Sequence, residues 1–288
     1  MNKKILFIGA NGYMGHGMAQ NLLKQNTVYV YVNKKRENID LLVSNGAKEI
    51  KTLNEIQNIE LDCLMLCVTN TPIAIEIANK VAPLLKNCSL VIDLTTHNKN
   101  GATKMKNIFD KFNISFVVSP VMGSKNESLK GILGSIWGGD RDKFNESKIY
   151  LNTFCKDVID FGTVDKACAG KLLSNFLSLL TTTTVVEYFK SAEKLGVDWR
   201  KLFEVAKLGS GNSGALNRIA EKAIGGDYKG YTFSVSNTVK DLSYINDLVK
   251  DLPNAEKFTS VAKTFYEDSV EKGNGEFLIS ELIEKEKY

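Results

Sequence analysis

The sequence predicts an α/β domain with a doubly wound parallel sheet, followed by an all-helical domain. Short, continuous apolar runs alternate with helical stretches up to about Gly162. Such an alternation is typical of a parallel sheet that is covered by helices on both faces. Beyond Gly162 helical patterns follow one another without an apolar run typical of a strand. We therefore expect two domains, 1–162 and 163–288.

The apolar runs give the order of the expected strands along the first domain. The predicted strands are 5–8 (ILFI), 28–32 (VYVYV), 63–68 (CLMLCV), 89–94 (SLVIDL) and 114–118 (ISFVV), with 134–139 (GSIWGG) and 158–162 (VIDFG) as the last strands of the same sheet. In the second domain the predicted helices are 164–195, 199–208, 215–225, 235–250, 254–271 and 276–286. The run Thr181–Thr184 lies inside the first of these helices, where we expect the hydroxyl groups to bond to backbone carbonyls of the same helix.

Composition narrows the functional classes. The chain has 288 residues, 43% of them hydrophobic and 24% charged, which is ordinary for a soluble globular protein. Its net charge of +4 is spread along the chain and indicates a weak bias toward anionic ligands, not a nucleic-acid-binding surface. Two histidines and five cysteines without a C-x-x-C pair argue against a metal site and a Ser-His-Asp triad. No apolar run approaches the ~20 residues of a membrane span, so we expect a cytoplasmic protein.

The stretch FIGANGYMGHGMAQNLL, residues 7–23, carries the glycines of a dinucleotide-binding turn. Gly9, Gly12 and Gly15 are spaced G-x-x-G-x-x-G, one residue longer than the common G-x-G-x-x-G. The turn follows the first strand and opens a helix, where backbone N–H groups bind a pyrophosphate. A Rossmann-type domain is therefore expected. Its predicted phosphate-binding residues are Gly9, Ala10, Asn11, Gly12, Tyr13 and Met14, with Ala10 or Asn11 as the extra residue.

The end of the second strand predicts which dinucleotide is preferred. NAD-binding domains commonly have an acidic residue there, which holds the ribose 2′-hydroxyl. This chain has Asn33, Lys34, Lys35 and Arg36 instead, so cations are available to attract a 2′-phosphate and no neighbouring carboxylate repels it. We expect NADP to be preferred, with NAD as the alternative cofactor.

The glycine spacing alone resembles that of the extended short-chain dehydrogenases, which need a downstream Tyr-x-x-x-Lys pair. Only Tyr31 has a lysine four residues later, and that pair lies at the cofactor end of the second strand. The chain as a whole instead resembles the β-hydroxyacid dehydrogenases, the group of 3-hydroxyisobutyrate dehydrogenases and glyoxylate or succinic-semialdehyde reductases that is related to 6-phosphogluconate dehydrogenase. The similar segments, in order, are MGHGMAQNLL, VNKK with NGA, VIDLTT, SPVMGSKNESLKGIL, AGKLLSN and FSVSNTVKDL.

This resemblance implies roles for particular residues. Val68, Thr69, Asn70 and Thr96 would border the cofactor, and Lys240 would reach the nicotinamide region, although Lys240 and Asp241 could also form a surface pair. Lys171 would be the catalytic acid/base, with Asn175 one helical turn later on the same face. Burial beside a second cation such as Lys240 would lower the pKa of Lys171.

The loop PVMGSK, residues 120–125, would hold the substrate carboxylate. Met122 replaces the serine of the family, Gly123 keeps its glycine, and Ser124 replaces the second glycine. Leu278 stands where the family motif near the C-terminus has its second aspartate. Both Met122 and Leu278 make the expected pocket less polar.

We therefore expect an NADP-preferring oxidoreductase that interconverts a small 2- or 3-hydroxy acid and its semialdehyde or keto form. An imine reductase on the same fold and a non-catalytic binding module are the alternatives. Imine reductases usually lack the catalytic lysine, and so does the non-catalytic relative, so Lys171 argues against both. The expected partners are a small-molecule substrate and, by resemblance, further copies of the chain in a homodimer or homotetramer. No nucleic acid or membrane is expected.

Overall fold

The computed structural model describes residues 2–32 and 36–284. The chain divides into two compact units, Met1–Lys171 and Leu172–Tyr288. The boundary falls inside one helix. In the described part of the chain no helix is long and apolar enough to cross a membrane.

The first unit is built on a six-stranded parallel sheet, which confirms the predicted α/β fold. Its strands, in chain order, are β1 (Lys4–Ile8), β2 (Thr27–Tyr31), β3 (Lys48–Ile50), β4 (Cys63–Leu66), β5 (Leu90–Asp93) and β6 (Ser115–Val118). The spatial order is β3-β2-β1-β4-β5-β6. The order therefore reverses between β1 and β4, and in open α/β sheets ligands bind outside the carboxyl ends of the strands at such a point.

Burial explains why the central strands read as continuous apolar runs. Every residue of β4 and β5 is buried, as are the last four residues of β1. Helices cover both faces of the sheet. They are α1 (Tyr13–Leu23), α2 (Glu37–Ser44), α3 (Thr71–Val81), α4 (Lys99–Asp110), α5 (Lys125–Lys130) and α6 (Phe144–Leu151).

Three strands of the first unit form a separate sheet, so the prediction that 134–139 and 158–162 end the main sheet is wrong. This sheet has the order β7 (Val121–Met122), β8 (Leu133–Trp137) and β9 (Cys155–Asp160). Its only bridge to the main sheet within the described residues is between Val118 and Gly138. The chain continues from β6 through Pro120 into β7 without reversing, since Val118, Val121 and Met122 form one antiparallel ladder with Gly138, Ser135 and Gly134. It turns back only across 123–132, the segment that contains α5.

Helix α7 (Val164–Leu195) contains the boundary between the units. Its threonine run confirms the expected bonding, since each hydroxyl from Thr181 to Thr184 donates to the carbonyl four residues earlier, at 2.7 to 3.0 Å. The second unit continues with α8 (Trp199–Leu208), α9 (Gly214–Ala223), α10 (Val235–Val249) and α11 (Pro253–Glu271).

The predicted helix 276–286 is wrong. Leu278 forms an isolated antiparallel bridge with Ser234, and a short 3-10 helix, Ile279–Ile283, follows. Ile279 donates its N–H to the Phe233 carbonyl oxygen at 2.9 Å, so this segment pairs with the residues that directly precede α10.

Candidate functional site

The glycine turn lies at the carboxyl end of β1, directly beside the end of β4. Gly9 has a φ of 101°, and a Cβ there would overlap the carbonyl oxygen of Cys67. A Cβ at Gly15 would overlap the carbonyl oxygen of Gly9. The first and third glycines thus allow close packing of the turn, as in the dinucleotide-binding fingerprint.

The second glycine leaves space for a ligand. Gly12 precedes α1 as its N-cap residue, and a Cβ there would meet only the Gly9 carbonyl oxygen, at 3.3 Å. Unlike α3 and α4, which are capped by Asn70 and Asn98, α1 has no side-chain cap and no acidic residue in its first turn. An uncapped helix N-terminus carries N–H groups and a partial positive charge that suit a phosphate. The residues present therefore fit a dinucleotide diphosphate.

Asn11, one of the two candidates for the extra residue of the turn, is fastened to the start of α2. Asn11 accepts a hydrogen bond from the Asn38 N–H at its Oδ1 (3.2 Å), and its carbonyl oxygen accepts one from Asn38 Nδ2 (2.8 Å). The side-chain oxygen of Asn11 therefore joins the glycine turn to the first turn of α2, at the cofactor end of the sheet.

Four residues were predicted to surround the 2′-phosphate of NADP. The structure describes Arg36, whereas Asn33, Lys34 and Lys35 lie outside the described residues. The guanidinium donates to both carboxylate oxygens of Glu49, at 3.0 Å each, and to Asp40 at 2.9 Å. The Arg36 hydrogen bond lowers the pKa of Glu49. The expectation that no carboxylate neighbours these cations is therefore wrong. Sequence reasoning missed Glu49 because it comes from β3, thirteen residues away.

The loops after β4 and β5 are joined by a hydrogen bond between Val68 and Thr95. Thr95 Oγ1 accepts from the Val68 N–H at 3.1 Å, and the Thr95 N–H donates to Asp93 Oδ1 at 2.8 Å. Val68 and Thr96 thus lie in two loops that the structure joins. Asn70 Oδ1 accepts from the Ile73 N–H and so caps α3.

A buried chain of side chains, absent from the sequence-based site, continues this link. His97 Nε2 lies 2.8 Å from Asp93 Oδ2, and its Nδ1 lies 3.1 Å from Thr71 Oγ1. The side chains of His97 and Asp93 are both 0% exposed. Thr, His and Asp are also the residues of a hydrolytic triad, but these three side chains are buried and leave no route for a substrate. Their hydrogen bonds instead fix the loops after β4 and β5 relative to each other. The sequence signal was an aspartate four residues before one of only two histidines.

The expected substrate loop begins at β7. Met122 is half-buried and packs against the core of the first unit, beside Gly134. Gly123 is exposed and has a φ of 128°. Ser124 donates both its N–H and its hydroxyl to Glu127 and caps α5. Its hydrogen-bonding groups therefore serve the helix in this structure.

Lys171 lies near the start of α7, at the end of the first unit, and is buried. It is 9% exposed, and its Nζ donates to the Val121 carbonyl oxygen at 2.8 Å. Val121 directly precedes Met122, so this bond holds the ammonium beside the loop that is expected to bind the substrate. The predicted catalytic lysine and the predicted substrate loop are therefore in contact within the first unit.

Asn175 and Lys240 belong to the second unit and share one partner there. Asn175 Nδ2 donates to Asp241 Oδ2 at 2.7 Å, and Lys240 Nζ lies 3.0 Å from Asp241 Oδ1. Asp241 is 2% exposed, so the alternative of a surface pair is wrong. Within the described residues no cluster of His, Cys, Asp or Glu suits a metal ion.

Two family models together match most of the chain. A family model described as the NAD binding domain of 6-phosphogluconate dehydrogenase matches residues 4–163. A second, described as NAD-binding of NADP-dependent 3-hydroxyisobutyrate dehydrogenase, matches residues 166–284. The 2-(hydroxymethyl)glutarate dehydrogenase of Eubacterium barkeri is 26% identical over 97% of this chain and 93% of its own.

Solved structures share the fold. The 3-hydroxyisobutyrate dehydrogenase of Mycobacterium tuberculosis with L-serine is 20% identical and superposes with a TM-score of 0.86 over the full length of both chains. An imine reductase of Myxococcus stipitatus is 17% identical and covers 98% of each chain, with a TM-score of 0.62.

Proposed function

Because the chain belongs to the β-hydroxyacid dehydrogenase family and is an NAD(P)-dependent oxidoreductase of that type, we propose that it interconverts a small 2- or 3-hydroxy acid and its semialdehyde or keto form, with NADP preferred. The observation that carries this proposal is the position of Lys171. A buried ammonium fastened to the Val121 carbonyl lies beside the loop expected to hold the substrate. Lysine is rarely this buried without a partner or a task.

The chemistry needs a proton donor at the reacting oxygen. When bound, the nicotinamide supplies or accepts the hydride. Lys171 Nζ gives a proton to the substrate oxygen during reduction and takes it from the hydroxyl during oxidation. The bond to Val121 restricts the direction of the ammonium, which reduces the reorganisation needed at the moment of transfer.

Asn175 is proposed to orient the reacting groups. Since its Nδ2 donates to the buried Asp241, the orientation of the amide is fixed and Oδ1 points the other way. Asn175 follows Lys171 by four residues on α7, so the helical repeat sets the two side chains on one face. The amide oxygen would accept from the substrate hydroxyl.

The preference for NADP rests on the cations after β2. Arg36 offers a guanidinium, the group best suited to a phosphate, but two carboxylates already hold it. A 2′-phosphate would have to compete with Glu49 and Asp40 for this group, so the proposed discrimination against NAD is moderate. Lys34 and Lys35 would add to the attraction.

Reduction of imines is the second candidate function, favoured by the apolar Met122 and Leu278. Hydride transfer to an imine carbon gives an amine and not an alcohol. An imine reductase should also depend less on Lys171 than a hydroxyacid dehydrogenase does. One panel of substrates distinguishes the two functions.

The test is steady-state turnover of the purified protein with NADPH and NADH against short semialdehydes, keto acids and cyclic imines. We expect activity on the carbonyl acids and a lower KM for NADPH. Lys171→Ala should lose a hundredfold or more in kcat, with Lys166→Ala, five residues earlier on α7 and exposed on another face, as the control. Turnover of imines alone, or full turnover in Lys171→Ala, would contradict the proposal.

A further inference from the structure

Lys125 lies beside the glycine turn, although it belongs to the segment expected to bind substrate. It is the first residue of α5, and its Nζ lies 5.4 Å from the centroid of the Tyr13 ring. Tyr13 is the first residue of α1 and is 77% exposed. The ammonium therefore rests against the part of the turn where α1 begins.

The backbone that carries Lys125 is fixed on α1. Ser128 donates its hydroxyl to the Met14 carbonyl oxygen at 2.7 Å. Asn21 Nδ2 donates to the carbonyl oxygens of Ser128 and Leu129, at 2.9 and 3.2 Å. A Cβ at Gly17 would lie 2.5 Å from Ser128 Oγ, so glycine permits this close packing. Lys125 is thus held at a set distance from the turn.

Positive charge gathers where α1 begins, and the carboxylate of Glu127 nearby is engaged by the Ser124 N–H and hydroxyl. The N-terminus of α1 carries a partial positive charge, and its first turn has no acidic residue. Burial, together with the charge of Lys125, lowers the pKa of the neighbouring His16. Among the ion pairs of residues 2–32 and 36–284, Lys125 has no partner. The Lys125 ammonium and the N-terminus of α1 therefore offer an anion two positive groups side by side.

We propose that Lys125 binds the diphosphate of the nicotinamide dinucleotide and so links the substrate segment to the cofactor. This inference rests on the proposed function, since it presumes that the turn binds a dinucleotide. The Tyr13 ring holds the ammonium near the site by a cation–π contact, from which the side chain reaches a phosphate oxygen. The cofactor would then strengthen the attachment of α5, and with it the position of Gly123.

The test compares Kd values for NADPH and NADH, measured by titration of the protein against nicotinamide fluorescence. Lys125→Gln should weaken both by about tenfold or more, and by the same factor, because both dinucleotides carry the diphosphate. The loss should shrink as salt is raised. Lys125→Arg should retain most of the affinity. Lys130→Gln, at the exposed other end of α5, is the matched control and should bind like the wild type.

Folding of the variant has its own readout. In Lys125→Gln the pKa of His16, followed by NMR, should rise, because the repelling charge is gone while the ring remains buried. A loss confined to NADPH would show that Lys125 meets the 2′-phosphate, and it would overturn the inference. Equal Kd values in the wild type and Lys125→Gln would overturn it too, while leaving the proposed function intact. A wild type that binds neither dinucleotide would overturn both.

Discussion

Replacing His97 with phenylalanine tests whether the buried Thr71–His97–Asp93 chain stabilises the first unit. The substitution keeps a ring of similar shape and removes both nitrogens. Asp93 Oδ2 then loses the 2.8 Å partner it has at 0% exposure, and the 3.1 Å contact with Thr71 is lost as well. A buried polar atom left without its partner costs about 1–3 kcal/mol, and a lost hydrogen bond about 1 kcal/mol more. We expect His97→Phe to lower the free energy of unfolding by about 3 kcal/mol.

The assay is urea unfolding in a Trp199→Phe background. Trp137 then reports on the first unit by itself, since it is fully buried in that unit's core and Trp199 belongs to the second. The midpoint should fall while the slope with urea stays constant.

A double-mutant cycle shows whether the cost arises from the pair. Asp93→Asn removes the acid, so the double variant Asp93→Asn with His97→Phe should be less destabilised than the sum of the two single variants. Residues in direct contact commonly show coupling of 0.5–3 kcal/mol. A loss below about 1 kcal/mol in His97→Phe, or additivity within about 0.5 kcal/mol, would refute the assigned role.

Two further predictions concern the turn after β1. The pKa of His16 is lowered in the folded protein from its ordinary value of 6.5, because the ring is partly buried. Below pH 6.5 the unfolded chain therefore binds more protons than the folded one. The free energy of unfolding should fall as the pH drops from 6.5 through the pKa of the folded state. His16→Gln should lose less stability than the wild type between about pH 7.5 and 5.5 in urea midpoints; parallel curves would contradict this. Gly9→Ala should lower the melting temperature far more than Gly46→Ala. Both glycines have a φ of 101°, but a Cβ at Gly46 meets nothing within 4 Å, whereas at Gly9 it overlaps the Cys67 carbonyl. Equal losses would mean that backbone conformation alone sets the cost.

The sequence predicts the main sheet well where strands are buried on both faces. Burial requires an unbroken apolar run, and β1, β4 and β5 each have one. The edge strand β3 has the sequence Lys-Glu-Ile and is only partly buried, so it carries no such signal. The strands β8 and β9 are visible as strands, but nothing local reveals that they leave the main sheet. That outcome depends on how the chain turns back between β7 and β8.

The candidate site divides in the same way. The glycine turn is predictable because its backbone geometry demands particular residues at fixed spacing. The bonds of Arg36 to Glu49 and of Asn11 to Asn38 join residues 13 and 27 positions apart, so no periodicity announces them. The same holds for the link from Thr71 to His97. These contacts follow from the order of the strands, which a motif does not encode.

Met122 has a consequence for how substrate range can change over time. Its side chain lies in the expected substrate loop and also fills space against the core beside Gly134. A Met122→Ser substitution would therefore leave a void as well as add a hydroxyl, and the void would cost stability. A larger side chain at 134 would fill part of that void, so we expect the effects of changes at 122 and 134 to be coupled. Stability as well as polarity therefore limits which residues this position of the loop accepts.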